Sequence, residues 1–70
     1  MQNNLTNTGN VTRFIRLPEV LSMIGLSRTR VYELIEEGHF PPQVKLSSRA
    51  VAWSQDQIWE WMNQRIAATR

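Results

Sequence analysis

Two short helical patterns lie only three residues apart in this chain, and that spacing restricts the folds open to it. Val20 and Ile24 recur at helical spacing after Pro18, and proline is tolerated at a helix start. Gly25 can adopt the left-handed conformation that ends a helix, and Ser27 is a good N-cap for the next one. The sequence therefore predicts two helices, the first starting at Pro18, joined by a tight turn.

The second helix is expected over residues 28–37, because Gly38 and the prolines that follow forbid its continuation. Its apolar residues, which we expect to be buried, fall on one side: Val31, Leu34 and Ile35. The other side displays Thr29, Tyr32, Glu33 and Glu36. One face of this helix is therefore expected to pack against the core, and the other face is expected to be exposed to a binding partner.

A β-hairpin is expected next, because two short runs are rich in valine and leucine. Its parts are a strand over residues 43–46, a loop at Ser47 and Ser48, and a strand over residues 49–53. Two serines lack the positive-φ preference of Asn-Gly, so the pairing register stays open. The directions in which Lys45 and Arg49 point stay open with it.

A third helix is expected over residues 55–68, because Ser54 followed by Gln57 is a capping-box pattern. Its apolar stripe contains Ile58, Trp61, Met62 and Ile66. We expect Trp61 in the core, whereas Trp59 lies at the edge of the stripe as a candidate partner contact.

Seventy residues support only one small domain, and without cysteine the chain has neither a disulfide nor a zinc-thiolate site. We expect a mainly α fold with a small β-hairpin, a winged helix-turn-helix. In it, the helix-turn-helix is followed by the hairpin as the wing and then by the C-terminal helix. We assign this domain to residues 13–70 and expect residues 1–12 to form a disordered tail.

The composition excludes most catalysis, since the chain has one histidine, one aspartate and no cysteine. We expect no enzyme activity, no catalytic or metal-binding residue, no cofactor and no small-molecule substrate. The longest apolar run has four residues, against the roughly 18 to 20 that span a membrane. Residues 1–10 lack the basic and apolar regions of a signal peptide, so a cytoplasmic location is expected.

The start of the second helix carries the residues best suited to nucleic acid. Two guanidinium groups and three hydroxyls lie together there, on Ser27, Arg28, Thr29, Arg30 and Tyr32. A helix N-terminus offers free N–H groups, and arginine binds phosphate or a guanine edge with two hydrogen bonds. Arginines at a helix start oppose the helix dipole. We therefore favour double-stranded DNA as the partner over a solvated face with Ser27 as a simple cap.

The hairpin is a second candidate surface, because residues 38–55 contain no acid. Its side chains suited to phosphate are Lys45, Ser47, Ser48 and Arg49. The same composition fits an ordinary exposed hairpin equally well. Glu33, on the second helix, either accepts a hydrogen bond from a cytosine amino group or pairs with Arg30, and we favour the pair.

Several motifs of this chain occur together in a known family. They are Gly-Leu-Ser at 25–27, Gly-His-Phe-Pro at 38–41 and Arg-Ala-Val-Ala-Trp at 49–53. Over roughly residues 13–63 the chain closely resembles the AlpA family of phage-type regulators. The resemblance implies a MerR-like or excisionase-like winged helix that binds DNA of prophages and integrative elements. It also implies DNA contacts at the five helix residues and four hairpin residues named above.

We therefore expect a sequence-specific, double-stranded-DNA-binding transcriptional regulator of a prophage or integrative element, controlling integrase or excision genes. Because one small module carries a net charge of only +2, binding is expected to need several cooperating copies or an integrase partner. The residues expected toward base edges are Arg28, Thr29 and Tyr32, and those toward phosphates are Arg30, Lys45 and Arg49.

Two alternatives stay open at this point. The first is a recombination directionality factor, or excisionase, that acts at attachment-site DNA. The second is a protein-interaction module that binds a recombinase through Tyr32, Trp59 and the acidic pair Glu36 and Glu37.

Overall fold

The computed structural model describes residues 13–69, so the tail expected over residues 1–12 lies outside the described part of the chain. The described residues form three helices and a three-stranded antiparallel sheet. In chain order the elements are β1 (Phe14–Ile15), α1 (Leu17–Ile24), α2 (Arg28–Glu36), β2 (Val44–Ser47), β3 (Ala50–Ser54) and α3 (Gln55–Thr69). The fold thus combines helices with a small antiparallel sheet, in which a third strand joins the expected hairpin.

The tight turn between α1 and α2 is confirmed. Gly25 ends α1 in the left-handed conformation, with φ of 74°, and its N–H donates to the Leu21 carbonyl at 2.8 Å. The Ser27 Oγ then accepts a hydrogen bond from the Arg30 N–H at 3.1 Å, as an N-cap does. Only the start of α1 differs from the prediction, because the helix begins one residue before Pro18.

The far end of α2 closes at Gly38, as its sequence predicts. Gly38 has φ of 79°, and its N–H donates to the Ile35 carbonyl at 3.1 Å. The His39 N–H donates to the Leu34 carbonyl at 2.8 Å, which completes a Schellman motif. The helix proper ends at Glu36, one residue earlier than expected, with Glu37 as its C-cap.

The third strand, β1, lies in the stretch from Phe14 to Leu17 that the sequence predicts to be extended, but its pairing was not predicted. It pairs with β3 so that the sheet order is β1-β3-β2, and Ile15 lies opposite Trp53. The Gln55 N–H also donates to the Arg13 carbonyl at 3.0 Å, beyond the end of the pairing. A strand of two residues is too short to show the alternation that identifies strands in a sequence.

The structure defines the hairpin register, which the sequence left open. A β-bulge lies between Lys45 and Ser47, so that Lys45 pairs with Val51 but Ser47 pairs with Ala50. The extra residue moves the turn forward by one position. The turn is therefore at residues 48–49, and the loop predicted at residues 47–48 was wrong by one residue.

β3 lies at the centre of the fold, because it pairs with both other strands and contacts α1 and α3. Trp53 on this strand is fully buried. The buried core consists of Ile15, Val20, Val31, Leu34, Phe40, Trp53 and Ile58. The Ser54 Oγ accepts from the Gln57 N–H at 3.4 Å and caps α3, which confirms the predicted third helix to within one residue.

Candidate nucleic-acid interface

The first turn of α2 presents exposed polar side chains where the sequence predicts base contacts. Arg28 and Thr29 are both exposed. The helix beneath them is anchored by Val31 and Leu34, which are buried in the core. Because the first N–H groups of a helix lack partners within the helix, this end also favours an anion. The first turn of α2 therefore presents one guanidinium and one hydroxyl group on a helix that is packed against the core.

Ser27 and Arg30 both make contacts within the protein. The Ser27 Oγ is the N-cap acceptor, although its own proton remains able to donate. The Arg30 guanidinium lies 3.0 Å from the Glu33 carboxylate and 4.0 Å from that of Glu37. The expected pair between Arg30 and Glu33 is confirmed. Exposed pairs of this kind contribute only about 0.2–1 kcal/mol, so a phosphate can displace them.

Tyr32 is held differently from its neighbours on α2. Its side chain is half-buried and packs against the core, whereas the expectation placed it on the displayed side. Its partner in the proposed protein-binding surface, Trp59, is 51% exposed on α3, as predicted. Trp59 lies about 200° around that helix from Trp61, which faces the loop after α2. Tyr32 thus lies on α2 and Trp59 on α3.

The hairpin carries four exposed candidate side chains: Lys45, Ser47, Ser48 and Arg49. Because directly paired residues share a sheet face, Lys45 lies on the same face as Val51. Arg49 lies in the turn itself, with Ser48 beside it. The register that the sequence left open therefore places one cation on a strand and the other at the tip.

The loop that joins α2 to β2 is held by two tryptophans, a feature that sequence reasoning missed. The Trp61 Nε1 donates to the His39 carbonyl at 2.7 Å, and the Trp53 Nε1 donates to the Pro41 carbonyl at 3.0 Å. Between these bonds the buried Phe40 ring meets the Trp61 ring edge to face, with centroids 4.8 Å apart. The loop thereby fixes the position of the hairpin relative to α2.

Among residues 13–69 no group of three or more histidine, cysteine, aspartate or glutamate side chains could hold a metal ion. No helix in the same range is long and apolar enough to cross a membrane. The exposed cationic candidates Arg28, Lys45 and Arg49 lie on α2 and on the hairpin.

Comparison with known proteins identifies relatives of phage and bacterial origin. The chain is 50% identical over 58 residues to the uncharacterized protein ORF88 of Enterobacteria phage P4, covering 83% of this chain and 66% of that protein. It is 29% identical over 65 residues to the DNA-binding transcriptional activator AlpA of Escherichia coli K12, covering 84% of this chain and 93% of AlpA. The family described as prophage CP4-57 regulatory protein (AlpA) matches residues 13–66. Because this match spans most of its length, the chain belongs to the AlpA family of prophage regulatory proteins.

Proposed function

We propose that this chain is a sequence-specific, double-stranded-DNA-binding transcriptional regulator of a prophage or integrative element. One observation carries the proposal: two helices joined by a three-residue turn expose Arg28 and Thr29 at the anchored start of α2. This is the arrangement by which helix-turn-helix proteins place a recognition helix in the major groove. The similarity to AlpA of Escherichia coli K12, a DNA-binding transcriptional activator, supports the same function.

In the proposed complex the domain acts as a winged helix-turn-helix, with α2 in the major groove and the hairpin against the backbone. Arg28 and Thr29 face base edges, where arginine recognises the O6 and N7 atoms of guanine. Tyr32 contributes only its exposed portion, since the rest of its side chain packs against the core. The contacts that we assign to phosphate and sugar are Ser27, Arg30, Lys45, Ser47, Ser48 and Arg49.

The module works without catalysis, and we propose that it acts in several copies or with an integrase. A single domain with a net charge of +2 gives a small interface and a weak electrostatic contribution. Adjacent copies on repeated sites would supply the missing affinity. If the sites of a natural target filled independently, without cooperativity, this part of the proposal would be contradicted.

The decisive experiment measures binding of the full chain to labelled duplexes tiled across its own genetic element. Fluorescence anisotropy is recorded at two salt concentrations with random-sequence competitor, because affinity without a salt dependence cannot be interpreted. We expect one tile to survive the competitor and to bind more weakly as salt rises. A tile at a promoter supports transcriptional control of integrase or excision genes, and one at an attachment site supports an excisionase. Equal binding of all tiles, or of none, would overturn sequence-specific recognition.

A further inference from the structure

Arg65 on α3 is a cation that the DNA contacts proposed so far leave out. Its side chain is exposed, and its guanidinium carbon lies 4.9 Å from the centroid of the Trp61 ring. The salt bridges formed among residues 13–69 involve Arg13 and Arg30 but not Arg65. The charge of Arg65 is therefore held over an aromatic ring, and no carboxylate pairs with it in this part of the chain.

The ring beneath Arg65 is itself fixed in position. The Trp61 indole N–H donates to the His39 carbonyl, and the ring packs edge to face on the buried Phe40. An arginine stacked on a fixed aromatic ring loses less side-chain freedom when it binds a ligand than a free arginine does. Arg65 is thus preorganised, unlike a cationic side chain that makes no such contact.

Arg65 also shares a cleft with a residue already assigned to the interface. The cleft lies between α3 and the start of α2, and it is lined by Leu26, Arg30, Leu34, Trp61 and Arg65. Arg30 occupies the flank of α2 next to Leu34, which turns it toward α3, whereas Arg28 is about 160° away around the same helix. Two guanidinium groups and three apolar side chains therefore line a cleft without an acidic residue among them.

We propose that Arg65 and Arg30 together bind one phosphodiester group of the DNA backbone, on the α3 side of α2. This inference rests on the proposed function and adds α3 as a third contact element. Guanidinium groups bind phosphate oxygens with paired hydrogen bonds. Arg65 makes the larger contribution, because Arg30 is shared with the carboxylates of Glu33 and Glu37. Since phosphate contacts carry no base information, the role of Arg65 is to set the orientation of α2 in the groove.

The test compares the full chain with two variants that each lose one positive charge, Arg65→Ala and the control Arg16→Ala. Arg16 is exposed and precedes α1, outside every surface assigned to DNA. Affinity is measured for the best tile and for a random duplex between about 50 and 200 mM salt. We expect Arg65→Ala to weaken binding to both duplexes about five- to tenfold and to reduce the salt slope by about 0.9. Arg16→Ala should change the slope by less than half as much.

A second variant, Arg65→Lys, keeps the charge but loses the planar group that pairs with phosphate and stacks on Trp61. We expect it to bind about two- to threefold more weakly than the wild-type chain. Circular dichroism and the Tm of each variant establish that the fold is retained. A folded Arg65→Ala protein that keeps the wild-type slope, or that matches Arg16→Ala, would overturn the contact. A wild-type chain that shows no salt-dependent binding to any duplex would instead overturn the proposed function.

One further measurement separates the DNA backbone from a free anion as the ligand. The ¹H–¹⁵N signal of the Trp61 indole reports on the cleft, because Arg65 lies over that ring. We expect the signal to shift on addition of duplex DNA and to stay in place with inorganic phosphate alone at the same ionic strength. An equal shift with inorganic phosphate would overturn the proposal in favour of a small-anion site.

Discussion

The two surfaces assigned to DNA are held in the fold by different means. α2 is anchored by Val31 and Leu34 in the core and is closed by the Ser27 cap at one end and Gly38 at the other. In β2, by contrast, all four residues are exposed, including Leu46 at 46% against 5% for Leu34. The helix is positioned by side-chain packing, and β2, the exposed strand of the hairpin, is positioned by backbone pairing with β3.

This difference indicates which surface can select a sequence. A side chain that recognises a base edge has to be held to within about 0.5 Å, which requires a packed support. A phosphate contact tolerates more movement, because it depends mainly on charge. The helix is therefore suited to base recognition and the hairpin to binding the backbone. The following predictions test this division, starting with the largest effect.

The first prediction compares the same substitution in the two regions, Leu34→Ala in α2 and Leu46→Ala in β2. Removing the buried leucine leaves a cavity, so we expect the free energy of unfolding to fall by about 2–5 kcal/mol. For the exposed Leu46 we expect a loss below about 1 kcal/mol. Urea denaturation of both proteins measures the difference. Equal losses would show that the hairpin is anchored as firmly as the helix.

The second prediction concerns Arg28→Ala, on the exposed side of the first turn. We expect a loss of about 1–3 kcal/mol in binding to the specific duplex, with weaker discrimination against random DNA. The Tm should stay close to that of the wild-type chain, because the side chain is exposed. Competition anisotropy measures both affinities. Unchanged discrimination would move the function of this turn from DNA to a protein partner.

The third prediction applies the same test to the hairpin with Arg49→Ala, at the turn. We expect about a five- to tenfold loss of affinity that is the same for specific and random duplexes. The salt slope should fall by about 0.9, as for one lost phosphate contact. If Arg49→Ala instead abolished discrimination, the hairpin would be recognising bases and the proposed division between the two surfaces would be wrong.

The smallest expected effect is that of Glu33→Gln, which removes a carboxylate partner of Arg30. Loss of the exposed pair should lower the free energy of unfolding by only about 0.2–0.5 kcal/mol. Affinity for all duplexes should rise about two- to threefold, because Arg30 is released and a negative charge near phosphate is lost. A selective loss at the specific site would show that Glu33 accepts a hydrogen bond from a base.

Local signals in the sequence predicted the helices well. The cap at Ser27 and the left-handed glycines at 25 and 38 depend on residue type and near neighbours, and all three hold in the structure. The pair between Arg30 and Glu33 was also predictable, since residues three apart are neighbours on a helix. These features required no knowledge of distant parts of the chain.

Most features that escaped prediction depend on residues far apart in sequence. The pairing of β1 with β3 joins residues some forty positions apart, whereas the bulge that moved the hairpin turn is a local irregularity. The hydrogen bond from Trp61 to the His39 carbonyl joins residues 22 positions apart, and it also sets the place of Arg65. The spacing of Trp61 and Arg65, four residues apart on one helix, is the one signal that pointed to their contact.

The two indole hydrogen bonds also limit how much of the loop between α2 and β2 can change in length. They fix the backbone at His39 and Pro41, so only Pro42 and Gln43 lie between this fixed backbone and β2. One residue inserted there extends the chain by up to about 3.6 Å. Because β2 stays paired with the anchored β3, such an insertion would lengthen the loop without moving the hairpin.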